Sequence, residues 1–100
     1  MAQPIYSLYQ SRFKEAWYEL SSEERDTLFQ KSAEALAKVG GKSIILCVSG
    51  WASEQWVTFG VEMYPDIEAV QEHGRLLFEL NWFRYIDSVT TLGTEFVPTT

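Results

Sequence analysis

The sequence is poor in cysteine, histidine and positive charge, and each shortage excludes a class of protein. Cys47 is the only cysteine, so no disulfide can form within the chain and a disulfide-stapled secreted scaffold is excluded. Cys47 and His73 together are too few ligands for a structural zinc site. Eight Lys and Arg residues against 14 Asp and Glu residues leave a net charge of −6, which argues against binding to nucleic acid or anionic lipid. We therefore predict no metal, no cofactor, no nucleic-acid partner and no membrane partner.

Long apolar runs and targeting segments are also absent from the sequence. The longest apolar run covers residues 44–48, far short of the roughly 20 residues of a membrane-spanning helix. Residues 1–4 carry neither a basic region nor an apolar core, so they do not resemble a signal peptide, and we expect a cytoplasmic protein. No phosphate-binding loop, zinc-protease motif or dinucleotide fingerprint occurs. The 100 residues have room for one domain, which we assign to residues 1–100.

The sequence pattern predicts the element order β-α-β-β-α-β. Apolar and aromatic runs predict strands at residues 5–10, 42–49, 55–63 and 82–94. Residues 11–19 read as a loop or a short turn of helix. A capping box at residues 21–24 begins the first long helix, two glycines end it, and Asp66 caps a second that ends near residue 80. This order is the ferredoxin-like α+β plan, a four-stranded antiparallel sheet with two helices on one face.

Each predicted helix carries an apolar stripe that should face the sheet. The stripe of the first helix comprises Leu28, Phe29, Ala33, Leu36 and Val39. The stripe of the second comprises Ile67, Val70, Gly74 and Leu77.

The predicted strands lack the apolar/polar alternation of a sheet that has one face in water. Residues 44–48 are apolar on both sides, and Tyr6 and Leu8 oppose Ile5 and Tyr9 in the first strand. Two helices cover only one face, so the other needs a cover of its own. A second copy of the chain is the simplest one, and we predict a homodimer formed through the sheet faces, with Cys47 a small buried core residue.

Three stretches carry a resemblance to a known family: FKEAWYELS at residues 13–21, GWASEQW at 50–56 and NWFRY at 81–85. With the element order, they resemble small bacterial proteins of unknown function within the dimeric α/β-barrel superfamily. The resemblance implies two protomers packed sheet to sheet, each with a pocket between its sheet and helices. Members include cofactor-free monooxygenases, haem-degrading monooxygenases, muconolactone isomerases and chlorite dismutase-like haem proteins.

His73 is the first candidate for chemistry, because it flanks the apolar stripe of the second helix. It is either a general base or haem ligand at a pocket mouth, or a partly exposed histidine hydrogen-bonded to a carboxylate such as Glu72. The haem-degrading relatives use an Asn–Trp–His set. This chain offers Trp56 and His73 but has no Asn on its first strand, so haem binding is the less favoured hypothesis.

Aromatic and charged residues complete the candidate site. Trp56 and Trp51 would line a pocket for a flat apolar ligand, or belong to the core or a dimer interface. Arg84 would hold a carboxylate, or form an ion pair with a protein carboxylate. Tyr85 and Asp87 are expected on one face of the last strand. The predicted catalytic residues are His73, Tyr85 and Tyr6, and the predicted ligand-binding residues are Trp56, Trp51 and Arg84.

Two functions from different classes remain open on the sequence alone. The first is a small-molecule-binding protein, a cofactor-independent monooxygenase or isomerase acting on an aromatic or cyclic acid between sheet and helices. The second is a non-catalytic homodimer whose aromatic residues only pack. A haem-binding protein is a third, weaker hypothesis.

Overall fold

The computed structural model describes residues 3–98, which form one four-stranded antiparallel sheet and four helices. The strands lie in the order β2-β3-β1-β4, which confirms the ferredoxin-like α+β fold. The elements are β1 (Ile5–Phe13), α1 (Glu15–Tyr18), α2 (Ser22–Lys38), β2 (Lys42–Val48), β3 (Thr58–Tyr64), α3 (Ile67–Glu79), α4 (Trp82–Tyr85) and β4 (Ile86–Gly93).

The two long helices begin where the sequence predicts, because their first residues cap themselves. The Ser21 hydroxyl accepts from the Glu24 amide at 3.1 Å, and the Glu24 carboxylate accepts from the Ser21 amide at 2.9 Å. Asp66 accepts from the Ala69 amide at 2.8 Å. These contacts satisfy amides that would otherwise lack partners at a helix start. Within residues 3–98, no helix is long and apolar enough to cross a membrane.

The apolar core on the helix side of the sheet consists of two separate clusters. One gathers Trp17, Leu28 and Ile86, and the other gathers Leu36, Tyr64 and Ala69. Phe13 and Ile5, at opposite ends of β1, pack against the first and second cluster respectively. Between these ends the same face of β1 carries Ser7, Tyr9 and Ser11. The helix side of β1 is therefore apolar at its two ends and more polar in its middle.

Three predicted strand boundaries are wrong. β1 continues to Phe13 and does not end at residue 10, so only the later part of the predicted loop or short helix at residues 11–19 lies outside the strand. Trp82–Tyr85 forms the short helix α4 and not the start of the last strand, because Asn81 adopts a left-handed conformation (φ 57°) and redirects the chain. Tyr85 therefore does not share a strand face with Asp87. β3 begins at Thr58 and not at residue 55, because Ser49 and Ser53 side chains hold the Trp56 backbone in a loop (3.0 and 2.9 Å).

The helix faces also differ from the predicted stripes. In α2 the buried alanine is Ala35, whereas Ala33 is exposed. In α3 the buried face comprises Ala69, His73, Leu76 and Leu77, while Ile67 is 44% exposed. His73 thus lies on the buried face of α3 and does not flank it.

The second face of the sheet, which we call the open face, carries apolar side chains that no helix covers. Leu8 of β1 is 50% exposed, with Val61 and Thr91 opposite it on the neighbouring strands. The other members of the open face are Tyr6, Ile45, Cys47, Phe59, Met63 and Val89.

β2 is an edge strand and is exposed on both sides. Leu46 and Val48 lie opposite Gly60 and Thr58 on the helix side of the sheet, yet they are 61% and 74% exposed. Cys47 lies on the open face and is only partly buried in the single chain, so it is not part of the core between sheet and helices. The apolar run at residues 44–48 reflects an uncovered edge strand, not an interior one.

Candidate functional site

A chain of three hydrogen-bonded side chains joins α3 to the helix side of β3. His73 is 8% exposed, and its Nδ1 lies 2.8 Å from the Tyr64 hydroxyl. That hydroxyl donates to Oε1 of Glu62 at 2.7 Å. Glu62 and Tyr64 are two residues apart in β3 and therefore point to the same side. We call these residues the Glu62–Tyr64–His73 relay.

The other ring nitrogen of His73 has no partner. Nε2 is buried, and no hydrogen-bonding atom of residues 3–98 reaches it. A buried polar atom without a partner costs about 1–3 kcal/mol. Such atoms are few in native proteins and call for a physical explanation, which makes Nε2 the most informative atom of this site.

Burial shifts every titratable group of the relay towards its uncharged form. It lowers the pKa of the His73 imidazole. It raises the pKa of the Glu62 carboxyl, although the hydrogen bond from Tyr64 opposes that rise. Burial, then the hydrogen bond and charge of Glu62, raise the pKa of the Tyr64 phenol well above its usual value. His73 is therefore neutral at pH 7, and Tyr64 keeps its proton.

Tyr9 lies beside the relay and crosses Gly60. A Cβ atom at position 60 would come within 2.5 Å of the Tyr9 hydroxyl and 2.9 Å of the Ile45 carbonyl oxygen, so only glycine permits this close approach. Burial, with a smaller effect of the Glu62 charge, raises the pKa of Tyr9 to about 12. Tyr9 thus adds a second neutral phenol next to Glu62.

The predicted site residues do not gather around His73. Tyr6 lies on the open face and lines a shallow groove of about 510 Å³ with Leu8 and Val61. Tyr85 lines a second groove, about 460 Å³, between the start of α2 and the end of α3. Neither groove includes His73.

The three predicted ligand-binding residues make contacts of their own. The ring of Trp56 packs under the Arg12 guanidinium, whose carbon lies 5.1 Å from the ring centre. Trp51 is 86% exposed, and its indole NH donates to the Val48 carbonyl at 3.1 Å. Arg84 lies over the ring of Tyr85 at 5.9 Å.

Two expected polar contacts form with other partners. Glu72 binds Arg75 at 2.6 Å and not His73, whose carboxylate is Glu62 reached through Tyr64. Asp87 pairs with Arg12 at 2.9 Å, while Arg84 has no carboxylate partner among the ion pairs that residues 3–98 form.

The sequence reasoning missed Glu62, Tyr64 and Tyr9 as members of the site. The sequence did contain a signal for the two residues on β3. Gly60, Glu62 and Tyr64 recur at every second position and therefore lie on one side of a strand. A carboxylate on an otherwise small and apolar strand face, next to a tyrosine, indicates a buried polar contact. Among residues 3–98, no three His, Cys, Asp or Glu side chains cluster as metal ligands would.

Comparison with known proteins supports the fold. No protein-family model and no curated protein matches this chain. A variant of chlorite dismutase from Candidatus Nitrospira defluvii is similar with a TM-score of 0.73 and 20% identity, over 94% of this chain. This chain spans only 41% of that protein's length. A hypothetical protein of Arabidopsis thaliana is similar with a TM-score of 0.63 and 12% identity, over 98% of this chain and 93% of its own.

Both likenesses concern the backbone and not the chemistry. Together with the strand order, they confirm the ferredoxin-like α+β fold. At 20% and 12% identity, they carry no information on activity, since one fold hosts many functions.

Proposed function

We propose that this protein binds a small apolar or aromatic molecule on the helix side of its sheet, as a homodimer closed over the open face. The observation that carries the proposal is the buried, unpartnered Nε2 of His73. A ligand that hydrogen-bonds to this atom offsets the free-energy cost of leaving it unpaired.

The helix side of β2 offers the apolar surface for such a ligand. Leu46 and Val48 are uncovered there, and Leu46 lies opposite Gly60, which Tyr9 crosses. A flat apolar group can lie on these side chains while its polar end points towards the relay. Because Nε2 is enclosed, binding has to open the contact between α3 and the sheet.

The chemistry that fits this arrangement is proton transfer at His73. A neutral imidazole takes a proton from an acidic C–H or O–H of the ligand at Nε2. Glu62, acting through Tyr64, stabilises the cation that forms. An isomerase returns the same proton to another carbon. In a cofactor-independent monooxygenase, the carbanion formed from a C–H group donates its electron pair to O2 and forms a C–O bond. The peroxide takes the proton back from His73 and loses water, which leaves a carbonyl carbon. We propose these two reaction classes for this site.

The other predicted residues take different places in the proposal. Tyr6 faces the surface that a second copy would cover, and Trp56 lies beside Arg12, also on that side. We assign both to the interface between copies. Tyr85, Arg84 and Trp51 lie outside the relay, and a role for them in ligand binding needs a second site.

A thermal-shift screen with aromatic and cyclic acids, phenols and enols tests ligand binding. A ligand at a hundred times its Kd stabilises the fold by about 2.7 kcal/mol, which raises the melting temperature of a domain this size by roughly 10–20 °C. We expect ligands that stabilise the wild type but not His73→Gln. Phe78→Ala is the matched control, because Phe78 lies on α3 but is 74% exposed. Ligands that stabilise the wild type and His73→Gln equally contradict the proposal.

Haem was the third hypothesis, and the residues present do not fit it. An axial ligand must open onto a slot that accepts a flat macrocycle. Nε2 of His73 has a suitable donor atom, but protein encloses it, and the two grooves described above lie elsewhere. We expect hemin to give no Soret shift that depends on His73.

A non-catalytic homodimer is the second candidate function. It is favoured by the separation of His73, Tyr6 and Tyr85 onto different surfaces, and by the apolar open face. Sedimentation velocity together with the ligand screen distinguishes the two candidates. A dimer that binds none of the compounds supports the second, and a dimer with a His73-dependent ligand supports the first.

A further inference from the structure

We infer that Glu62 and Tyr64 hold His73 in the tautomer protonated at Nδ1, so that the site selects ligands that donate a hydrogen bond while uncharged. This inference rests on the proposed function, because it names the class of molecule that the same site takes. The class comprises phenols, enols and heteroaromatic N–H compounds. It excludes carboxylates, although the sequence suggested an acid.

The tautomer follows from counting protons along the relay. A tyrosine hydroxyl has one proton to donate and can accept through its oxygen. Tyr64 donates that proton to Glu62 at 2.7 Å. The 2.8 Å contact with His73 therefore needs the histidine as donor, which places the ring proton on Nδ1. In a neutral imidazole the other nitrogen then carries a lone pair. Nε2 is thus an acceptor.

The charge of the site excludes an anionic ligand. Glu62 is the carboxylate of the relay, and it takes no part in the ion pairs of residues 3–98, which involve Arg12 with Asp87 and Arg75 with Glu72 and Glu79. No cation of residues 3–98 therefore pairs with Glu62, and burial favours its uncharged form. A carboxylate ligand would meet a lone pair at Nε2 and would find no cation there to offset its own charge. A neutral O–H or N–H group meets neither obstacle.

The chain contains a single histidine, so nitrogen NMR of protein labelled with ¹⁵N-histidine reports on His73 alone. We expect Nδ1 to carry the proton and Nε2 to show the shift of an unprotonated ring nitrogen at pH 7. Tyr64→Phe removes the one hydrogen-bond partner that Nδ1 has among residues 3–98, and we expect the proton to move to Nε2 in a detectable fraction of molecules. Tyr18→Phe, at an exposed tyrosine of α1, is the control and should keep the wild-type spectrum.

Phenol, anisole and benzoate, added in turn to the wild type, test the ligand class on one ring scaffold. We expect phenol to move the Nε2 resonance, and anisole and benzoate, which lack a donor proton at pH 7, to leave it unchanged. A wild-type spectrum with the proton on Nε2 overturns the inference even if a ligand binds, and it needs no variant to fold. A response to benzoate overturns the ligand class. If the proton lies on Nδ1 and no probe acts, the ligand class fails together with the proposed function, while the tautomer assignment stands.

Discussion

Leu8→Ala should weaken the proposed dimer about thirtyfold, and Leu8→Asp should abolish it at micromolar concentration. Leu8 lies on β1, one of the two central strands, and projects from the open face. Complete burial of a leucine side chain contributes about 1.5–3 kcal/mol. Because Leu8 is already half buried, about 1 kcal/mol remains to be gained in each copy.

The symmetry of a two-fold dimer doubles this effect. The same residue lies on both sides of such an interface, so removing Leu8 costs about 2 kcal/mol per dimer, which is roughly a thirtyfold change in Kd at 1.4 kcal/mol per factor of ten. Aspartate at the same position places two unpaired charges in the interface, at several kcal/mol per ion.

Sedimentation equilibrium over a dilution series measures both variants. The protomer has a mass of 11.5 kDa, so monomer and dimer are well separated. Phe78→Asp is the control, because Phe78 is more exposed than Leu8 but lies on α3, away from the open face. Circular dichroism checks that each variant is folded. A wild type that stays monomeric at micromolar concentration refutes the reasoning, and so does a Leu8→Asp variant that dimerises like the wild type.

Three further predictions concern stability, measured by chemical denaturation. Burial raises the folded-state pKa of Glu62, so the wild type loses stability as pH rises through that pKa. Glu62→Gln should therefore have a higher free energy of unfolding than the wild type at pH 7 but not at pH 4. A difference between the two proteins that is equal at both pH values contradicts this prediction. Gly60→Ala should destabilise by about 1–3 kcal/mol through overpacking against Tyr9. Gly74→Ala is its control, because a Cβ atom at position 74 meets open space. A Gly60→Ala variant as stable as the wild type contradicts the close approach between Tyr9 and Gly60. Ser21→Ala should cost about 1 kcal/mol through the lost helix cap, whereas Ser22→Ala should not.

The parts of the fold that depend on neighbouring residues could be predicted from the sequence. The capping box at Ser21 and the Asp66 cap act within one helical turn, so their residues alone locate the helix starts. The uncovered second face followed from the missing alternation in β1, since strand periodicity is also local. The strand order then follows from the element order, because few topologies connect these elements.

The misplaced start of the last strand has a physical cause that sequence patterns do not contain. Trp82 and Tyr85 have high strand propensity, but propensity is weak where tertiary packing competes. Both side chains pack against the cluster of Trp17 and Ile86, and a helical turn after the left-handed Asn81 brings them there. Nothing near residue 82 in the sequence indicates that this cluster exists.

The relay was hidden for a related reason. The predicted stripe of α3 counted Gly74 as an apolar position. This choice rotated the predicted buried face about the helix axis, so that His73 was placed at the margin of that face. The buried face instead comprises His73 and the residues four before it and four after it, Ala69 and Leu77. Histidine counts as a polar residue in an analysis of hydrophobic periodicity, and its partner Tyr64 lies on another element. Only the packing of α3 on β3 brings them together. The sequence could therefore identify His73 as a candidate residue, but it could not predict the hydrogen-bonded relay.

The two apolar clusters explain why the relay and the proposed interface occupy opposite sides of the sheet. Apolar packing at both ends of β1 leaves the middle of its helix side to polar groups, whose hydrogen bonds need exclusion from water. The centre of the open face instead has Leu8 beside Val61, with Gln10 and Thr91 as polar neighbours that are not part of the relay. Burial of the open face can therefore proceed without disturbing His73. Assembly and ligand binding become separable properties, and substitutions at Leu8 should leave the His73 tautomer unchanged even where they dissociate the dimer.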